Sequence, residues 1–423
     1  MQSVPLHVNR FFMSDFSLPA EELEKADERT PKAMLGTNVE GANAHNRRVI
    51  IDAIRVNRAM SRADLARATK LSKQAVSNIV DELEREGMIM AQETVAREVA
   101  GRPAVPYVLA PNGAYAVGLH IDRHEARAVI VDLCGDVLIR RRARLNADDP
   151  DRGFNDLIEL LSKTRKEALA IRPNLEERLA GLGVAMPGPF GNEVARTDDV
   201  NDVYSMAHWQ SFPLVSHLER ETGLVVSLRN DAAAATMAEM ISGRLHGVRD
   251  AVCIYLGYGL GAGIVINGEL YNGRNGNAGD VGLIPAQPGS GSRPPLERLA
   301  TLAALSETLG LDPADPEFFD RISQAANRGG PEYHAWLVQT SQEISWLVAM
   351  TELVFAPEAI VLCGSAPEKL LDDVLGKLSG PGVSSDRPKL MRGLADLWAP
   401  ARGAASEPIN RSFSPRYSAL FKK

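Results

Sequence analysis

Residues 253–283 read CIYLGYGLGAGIVINGELYNGRNGNAGDVGL, and this stretch indicates the fold class. Two short apolar runs, at 253–256 and 264–266, flank four alternating glycines and predict two strands joined by a turn. Glycine accepts positive φ values and lets another molecule approach the main chain, so the turn is a candidate edge of a ligand cleft. Asn267-Gly268 predicts a tight hairpin of the I′ type. On this stretch alone, a glycine-rich connection without a ligand fits equally well.

Length and composition indicate a globular protein of two or three domains. The chain has 423 residues, of which 45% are hydrophobic and 24% charged, as in average globular chains. No apolar run approaches the roughly 18 residues that span a bilayer, so no membrane partner and a cytoplasmic location are expected. The three cysteines, at 134, 253 and 363, lie far apart in apolar contexts, which favours buried reduced thiols over metal ligands.

Positive charge is concentrated in one N-terminal segment. The formal net charge is −7, yet residues 45–102 contain eleven Lys and Arg against eight Asp and Glu. A basic module within an acidic chain is typical of a nucleic-acid-binding domain joined to a larger body. Residues 1–43 show little periodicity and are predicted to form a flexible tail.

The basic segment carries the pattern of a winged helix-turn-helix domain. Ser61 is predicted to cap one helix, and Ser72 caps a second helix whose apolar residues recur at i, i+3, i+4 and i+7. Its other face presents short donors and acceptors, as needed to read base edges in the major groove. Strands at 88–90 and 105–109 are expected to pair as a wing. A small helical interaction module is the alternative.

Arginines complete the predicted DNA interface. Arg102, between Gly101 and Pro103, is a candidate for the minor groove, although an ordinary loop fits equally well. Arg47 and Arg62 are candidates for phosphate contacts. The predicted DNA-binding set is Arg47, Arg62, Ser72, Lys73, Gln74, Ser77, Asn78 and Arg102. A homodimer or homotetramer is expected, because a pair of DNA-binding domains matches the two-fold symmetry of an operator DNA.

A second unit begins near Tyr115 and predicts an α/β body. The predicted strands are 116–121, 126–132, 137–143, 182–185 and 225–228. The fourth strand leads into the loop Pro187-Gly188-Pro189, and the fifth delivers Asn230 and Asp231 before an alanine-rich helix. Ligands of α/β sheets bind at such strand ends. A helix N-cap is the alternative role for Asp231.

These motifs together resemble the ROK family of repressors and sugar kinases. Their order is the PGP loop, Asn-Asp before an alanine-rich helix, GYGLGAGIVINGELYNG, Ala278-Gly279-Asp280, and 357–361 with Cys363-Gly364. The resemblance covers residues 44–405, including the helix-turn-helix of the repressor branch. It implies a winged helix-turn-helix domain followed by a two-lobed α/β body. This body is of the actin-like, ribonuclease-H type, which is the fold of the related ATPases and sugar kinases. A sugar is expected to bind between its lobes.

The resemblance also implies domain limits and a sugar site. The implied segments are a tail (1–43), the winged helix-turn-helix (44–110), a first lobe (111–235), a second lobe (236–405) and a C-terminal tail (406–423). Asn230 matches a sugar-binding Asn, and Asp231 matches the base of the kinases. The predicted sugar-binding set is Gly188, Asn201, Asn230, Asp231, Asp280 and Glu297. Asn201 is included because its segment lies where relatives contact the sugar, and a solvated loop is the favoured alternative for it.

Two departures from the family pattern bear on function. Kinases open the first lobe with Asp-x-Gly-Gly-Thr, but residues 122–126 read Asp-Arg-His-Glu-Ala, whose Glu repels phosphate and whose Arg and His obstruct its approach to the main chain. The family's zinc ligands, a His and three Cys, correspond here to Leu283, Pro288, Ser290 and Pro295. We therefore expect no kinase activity, no metal and no cofactor.

The sequence thus predicts a DNA-binding transcriptional regulator, a repressor, controlled by a sugar or sugar derivative in a kinase-like cleft. One alternative is an active sugar kinase with an appended DNA-binding domain. A DNA-binding protein with a vestigial cleft is the other.

Overall fold

The computed structural model describes residues 39–92, 105–145, 149–190, 206–242, 244–245, 247–286, 294–378 and 388–413. The chain forms two compact units, Met1–His45 and Asn46–Lys423. Helix α1 (Val39–Asn57) begins within the segment predicted as a flexible tail, so residues 39–43 are helical. Gly and Asn interrupt the apolar pattern at the start of this helix, which is why the sequence did not reveal it.

The described residues 46–92 and 105–109 form the winged helix-turn-helix domain. Its further elements are β1 (Met60–Ser61), α2 (Arg62–Thr69), α3 (Lys73–Arg85), β2 (Ile89–Ala91) and β3 (Pro106–Leu109). Strand β3 pairs antiparallel with both β1 and β2, which confirms the predicted pairing of the wing strands. The side chains of Ser61 and Ser72 accept hydrogen bonds from Asp64 N and Ala75 N, so both predicted caps are confirmed.

The first lobe is built on a five-stranded sheet of order β6-β5-β4-β7-β8. Its elements are β4 (Tyr115–Ile121), β5 (Glu125–Asp132), β6 (Val137–Arg144), α4 (Pro150–Ile171), β7 (Leu179–Met186), α5 (Ala207–Ser211), α6 (Leu214–Thr222), β8 (Val226–Asn230) and α7 (Asp231–Ile241). Strands β4, β5 and β6 form an antiparallel meander, whereas β7 and β8 run parallel to β4. The carboxyl ends of β7 and β8 therefore lie side by side.

The second lobe repeats this plan, with the sheet order β11-β10-β9-β12-β13. Its elements are β9 (Ala251–Leu256), β10 (Leu260–Ile266), β11 (Glu269–Tyr271), α8 (Leu302–Leu309), α9 (Phe318–Arg328), α10 (Pro331–Phe355), β12 (Ala359–Gly364), α11 (Glu368–Leu378) and β13 (Lys389–Ala395). An antiparallel meander is again followed by parallel strands. The two-lobed α/β fold is thus confirmed. Within the described part of the chain, no helix combines the length and the apolar character of a membrane span.

The last helix, α12 (Ala399–Phe413), returns to the first lobe and packs on β4, β7 and α7. Small residues permit this contact: an added Cβ at Gly118 or Gly183 would overlap a main-chain carbonyl of α12. Residues 406–409 are buried, so the predicted C-terminal tail starting at residue 406 is wrong as far as residue 413. Alanine, glycine and a proline give this helix no strong apolar stripe, which hid it in the sequence.

The glycines around the turn from β9 to β10 have a different structural role from the one predicted. Neither Gly261 nor Gly263 has a positive φ, and both lie inside strand β10. An added Cβ at Gly261 would come within 2.8 Å of the Ala232 side chain, and one at Gly263 would overlap Thr236. These glycines therefore let α7 lie directly against the second sheet. The hairpin prediction is confirmed, because Asn267 and Gly268 have φ values of 56° and 76°.

Candidate functional site

A cleft opens where β7 and β8 end. Strand β7 leads into Pro187 and Gly188, and in the parallel pairing Met186 lies opposite Asn230, the last residue of β8. Asp280, after Gly279, enters from the second lobe. The cleft is lined by Arg123, Pro187, Gly188, Pro189, Met206, Gln210, Asn230, Asp231, Tyr255, Gly259, Leu260, Gly261, Asp280, Gly282, Leu283 and Glu297. Five of the six predicted sugar residues thus line one cavity, and the sixth, Asn201, lies outside the described residues.

Asn230 and Asp231 are held by the first turn of α7. Asn230 is the N-cap, and its Oδ1 accepts a hydrogen bond from Ala232 N at 2.9 Å. Its Nδ2 donates to Asp280 Oδ1 at 3.4 Å, which joins the two lobes across the cleft. Asp231 is the first residue of the helix and also accepts from Ala232 N, at 2.8 Å. The N-cap, suggested as the alternative role for Asp231, is therefore taken by Asn230.

The Asp231 carboxyl has an unusual proton affinity. Burial, with the charges of Asp122 and Asp280, raises its pKa to about 7, against the opposing effects of the Arg123 cation and the hydrogen bond from Ala232 N. Near neutral pH this group is thus a mixture of acid and carboxylate. It can donate a hydrogen bond in one form and accept hydrogen bonds in the other.

Arg123 is a cleft residue that the sequence did not identify as one. Its side chain is 7% exposed and lies 3.5 Å from Asp122, measured between Nη1 and Oδ1. The guanidinium carbon lies 5.0 Å from the ring centre of Tyr258, so the cation stacks on the ring. The only signal in the sequence was a cation at the turn between the first two strands of the lobe.

A second cavity lies beyond this stacked pair. Its walls include Asp122, His124, Glu125, Arg144, Tyr258, Phe318 and Phe319. Arg123 lines the first cavity and Tyr258 lines the second, so their contact forms part of the wall between the two. The residues predicted to hinder a phosphate, Arg123 and His124, therefore face different cavities.

A buried polar cluster supports the turn at Asp122. Arg127 is 1% exposed, and its Nη1 lies 3.2 Å from His120 Nδ1 and 3.9 Å from Asp122 Oδ2. Arg127 also pairs with Glu125. Burial lowers the pKa of His120 to about 3, so this imidazole stays neutral at physiological pH.

Gln210, from α5, was also missed by the sequence analysis. Its Nε2 donates to the carbonyls of Gly188 at 2.6 Å and Pro187 at 3.2 Å. This contact fixes the main chain of the loop beneath the cleft. A lone glutamine within a short helix carried no signal for this role.

Only some of the residues that correspond to the family's zinc ligands lie within the described part of the chain. Leu283 lines the cleft, and Glu297 lies beside Gly282, with 3.3 Å between Glu297 Oε2 and the position of an added Cβ. Pro288 and Ser290 lie outside the described residues. In the described ranges, no group of three or more His, Cys, Asp or Glu side chains is arranged to hold a metal ion.

The predicted DNA-binding residues divide into two groups. Lys73, Gln74 and Asn78 are exposed on α3, and Gln74 Nε2 donates to Asn78 Oδ1 at 2.8 Å. Ser72 serves as the cap of that helix. Arg102 lies outside the described residues.

The remaining members of that set are engaged inside the domain. Arg62 donates to Ser77 Oγ at 2.7 Å and Tyr107 Oη at 2.8 Å, and pairs with Asp81 at 2.6 Å. Arg47 pairs with Glu82 and Glu86 of α3. In this conformation the two arginines brace α3, and Ser77 faces Arg62.

Comparison with known proteins identifies the family. The sequence profile of the ROK family matches residues 116–379, and that of the MarR family matches residues 49–98. The chain belongs to the ROK family. Both parts of the ROK resemblance, the helix-turn-helix and the two-lobed body, are therefore confirmed.

Individual ROK proteins extend this comparison. The xylose repressor of Caldicellulosiruptor bescii is 25% identical over 343 residues, which are 76% of this chain and 83% of that protein. The crystal structure of a ROK transcriptional regulator, a homologue of the E. coli Mlc protein, has the same fold: its TM-score is 0.63 at 23% identity, over 90% of this chain and 100% of that one. A ROK glucokinase from Streptomyces griseus, in complex with glucose and AMPPNP, is 25% identical with a TM-score of 0.52, over 69% of this chain and 98% of that one.

Proposed function

We propose that this ROK protein is a DNA-binding transcriptional regulator, a repressor, whose operator affinity is set by a sugar or sugar derivative in the cleft. The observation that carries the proposal is the presence of two interfaces in one unit. Helix α3 exposes polar side chains for a major groove, and the cleft gathers five of the predicted sugar residues. The similarity to a xylose repressor supports this combination.

The cleft suits a polyhydroxylated, uncharged ligand. Asp280 and Glu297 offer carboxylate oxygens to sugar hydroxyls, while Asn230 offers an amide. Glycine at 188 leaves room for these polar groups, because an added Cβ would lie 3.0 Å from Asn230 Nδ2 and 3.4 Å from Asp280 Oδ1. Three carboxyl groups and one cation, Arg123, line the cleft, and this balance disfavours an anionic ligand.

Phosphoryl transfer is not proposed. It requires main-chain N–H groups and cations around the phosphates, with the acceptor hydroxyl beside the base. Here Arg123 lines the cleft and stacks on Tyr258, and Glu125, which replaces a glycine of the kinase turn, repels a phosphate. We infer that the protein is not a kinase, and that Asp231 contacts the sugar without acting as a catalytic base.

The winged helix-turn-helix domain, called the head from here on, is proposed to act in pairs. A homodimer or homotetramer places two copies of α3 about one helical turn of DNA apart, roughly 34 Å. Lys73, Gln74 and Asn78 then face base edges, and Arg102 enters the minor groove. Arg47 and Arg62 contribute indirectly, by bracing α3.

A single binding experiment tests the proposal. Duplexes selected from a random library by the full-length chain are titrated by fluorescence anisotropy, with and without D-xylose, D-glucose and N-acetyl-D-glucosamine. We expect one sugar to lower operator affinity, and Asp280→Asn to abolish that effect while leaving sugar-free operator affinity intact. Failure to select any duplex, or identical affinity with all three sugars, contradicts the proposal.

The second candidate function is a sugar kinase, and one observation favours it. A pKa of about 7 at Asp231 suits a general base near neutral pH. Coupled measurement of ADP release with Mg-ATP and the same sugars separates the two functions. We expect no turnover above background, and turnover that Asp231→Asn abolishes overturns the repressor proposal.

A further inference from the structure

One strand, β7, connects the cleft to the end of the recognition helix. Its carboxyl end continues into Pro187 and Gly188 of the cleft. The residue immediately before it, Arg178, ends a short 3₁₀ helix and faces the winged helix-turn-helix domain. The two ends of a single eight-residue strand thus meet the two proposed interfaces.

Arg178 holds the C-terminus of α3. Its Nη2 donates to the Glu86 carbonyl at 3.1 Å, and its Nη1 donates to the Gly113 carbonyl at 3.1 Å. Glu86 is the C-cap of α3, where carbonyl groups lack helical partners and the helix dipole is negative. The planar guanidinium fork fixes the distance between the two carbonyls, and a lysine ammonium does not.

The space around this contact leaves little freedom. Gly87, with φ of 72°, turns the chain after α3, and the position of an added Cβ lies 3.6 Å from Arg178 Nη2. An added Cβ at Gly113 would come within 3.1 Å of both the Gly87 carbonyl oxygen and Met88 Cα. The end of α3 is therefore in close main-chain contact with the start of the first lobe.

Strand β7 is suited to transmit a displacement. Its residues from 181 to 186 are buried, and Gly183 lies so close to α12 that an added Cβ would overlap the Ala404 carbonyl. Tightly packed elements move as units because their interiors have few voids. At the cleft, Gln210 binds the Gly188 carbonyl, so closure of the cleft around a ligand acts on the end of this strand.

We propose that Arg178 is the positioning residue that couples sugar binding to the orientation of the recognition helix. The inference rests on the proposed function and specifies how its two sites communicate. A sugar that binds one arrangement of the Gly188 loop better than another shifts β7, and Arg178 transfers the shift to Glu86 and α3. Coupling of this kind changes affinity about 5- to 150-fold in typical proteins.

The test uses the full-length chain with Arg178→Gln and Arg178→Lys. The first variant removes both donors, and the second keeps a cation at the end of α3 without the two-point contact. Arg244→Gln is the matched control, because Arg244 also donates to a main-chain carbonyl, that of Arg392 in β13 at 3.2 Å, and within the described part of the chain forms no hydrogen bond or ion pair with the 3₁₀ helix that ends in Arg178. Sugar affinity, operator affinity with and without D-xylose, D-glucose or N-acetyl-D-glucosamine, and hydrogen exchange of residues 73–88 are measured for each.

We expect both Arg178 variants to bind sugar within about twofold of wild type, yet to lose most of the sugar-dependent change in operator affinity. Sugar-dependent hydrogen exchange in α3 is expected to disappear in the same variants and to persist in Arg244→Gln. If Arg178→Gln does not fold, Arg178→Lys alone decides. A full sugar response in Arg178→Lys overturns this inference and leaves the proposed function standing, whereas a wild-type chain without any sugar response overturns both.

Discussion

The recognition face of α3 and the sugar cleft are assembled in different ways. Gln74 and Asn78 lie one turn apart on a single helix, and a hydrogen bond joins their side chains. The cleft instead gathers Gly188, Asn230 and Asp280 from three segments that are distant in sequence. The face therefore depends on the cap and the buried stripe of one helix, whereas the cleft depends on close main-chain contacts between lobes.

The two regions also treat charge differently. In the head, Arg62 and Asp81 form an ion pair at a partly exposed position, so both charges are compensated. In the cleft, Asp231 is removed from water beside other carboxyl groups, and its pKa rises to about 7. Changes in the cleft are consequently expected to have larger effects than changes on the face.

The largest effect is expected from Gly279→Ala. Gly279 has φ of 94°, and an added Cβ there would overlap the main-chain carbonyl of Ala262 in β10. The two residues are also joined by a hydrogen bond, which Ala262 N donates to the Gly279 carbonyl at 2.8 Å. We expect the free energy of unfolding to fall by about 3 kcal/mol and sugar binding to be lost, because Asp280 follows directly. Urea denaturation and sugar titration measure both.

Gly268→Ala is the matched control for this prediction. Gly268 has φ of 76°, but an added Cβ has nothing within 4 Å. Only the backbone conformation is then unfavourable, at about 1 kcal/mol. Equal losses in the two variants would show that main-chain contact does not shape the cleft.

Asp231→Asn is expected to stabilise the protein at alkaline pH. Burial raises the folded-state pKa from 3.8 to about 7, so the folded chain retains a proton that the unfolded chain releases. The stability from this group is full below pH 3.8 and is lost as the pH rises through 7. Asparagine is neutral throughout, so we expect a gain at pH 8, worth about 1.4 kcal/mol for each pKa unit of the shift, that shrinks towards pH 4. A gain independent of pH, measured by urea denaturation, would contradict the assigned cause.

Ser72→Ala tests the local character of the recognition face. Ser72 Oγ accepts from Ala75 N at 3.2 Å at the start of α3. Losing the cap is expected to destabilise the head by about 1 kcal/mol, with sugar affinity unchanged. Thermal unfolding followed by circular dichroism measures the loss, and Ser72→Thr should retain most of the stability. A change in sugar affinity would show that the two regions depend on the same contacts.

The smallest effect concerns the salt dependence of operator binding. Lys73 is exposed and its ammonium adds positive charge at the DNA surface, so Lys73→Gln is expected to reduce the slope of log affinity against log salt by about 1. Arg62→Gln is expected to leave this slope unchanged, because Arg62 is engaged by Ser77, Asp81 and Tyr107. Anisotropy titrations over a salt series measure both. A smaller slope in Arg62→Gln would assign Arg62 to the phosphate contacts.

The same contrast explains what the sequence predicted. The caps Ser61 and Ser72 and the hairpin at Asn267 follow from residues next to each other in the chain, and all three are confirmed. The grouping of the cleft residues required the family resemblance, because no local pattern brings Gly188 near Asp280.

The misses also have physical causes. Arg123 was missed as a cleft residue because its stacking partner, Tyr258, comes from the other lobe, and no sequence pattern connects the two. Helix α12 escaped notice because alanine and glycine make its buried face, so it lacks the contrast between large apolar and polar residues that marks a helix.

Helix α12 has a consequence for biosynthesis. The surface of β4 and β7 that it covers belongs to a sheet made some two hundred residues earlier, and small residues such as Gly118 and Gly183 leave that surface without side chains of its own. During synthesis the first lobe stays open until residues 399–413 emerge, and the hydrophobic cluster that joins the DNA-binding domain to Ala401, Ala405 and Ile409 is completed only then. A nascent chain that ends before residue 399 would therefore leave the packing of both the first lobe and the DNA-binding domain incomplete.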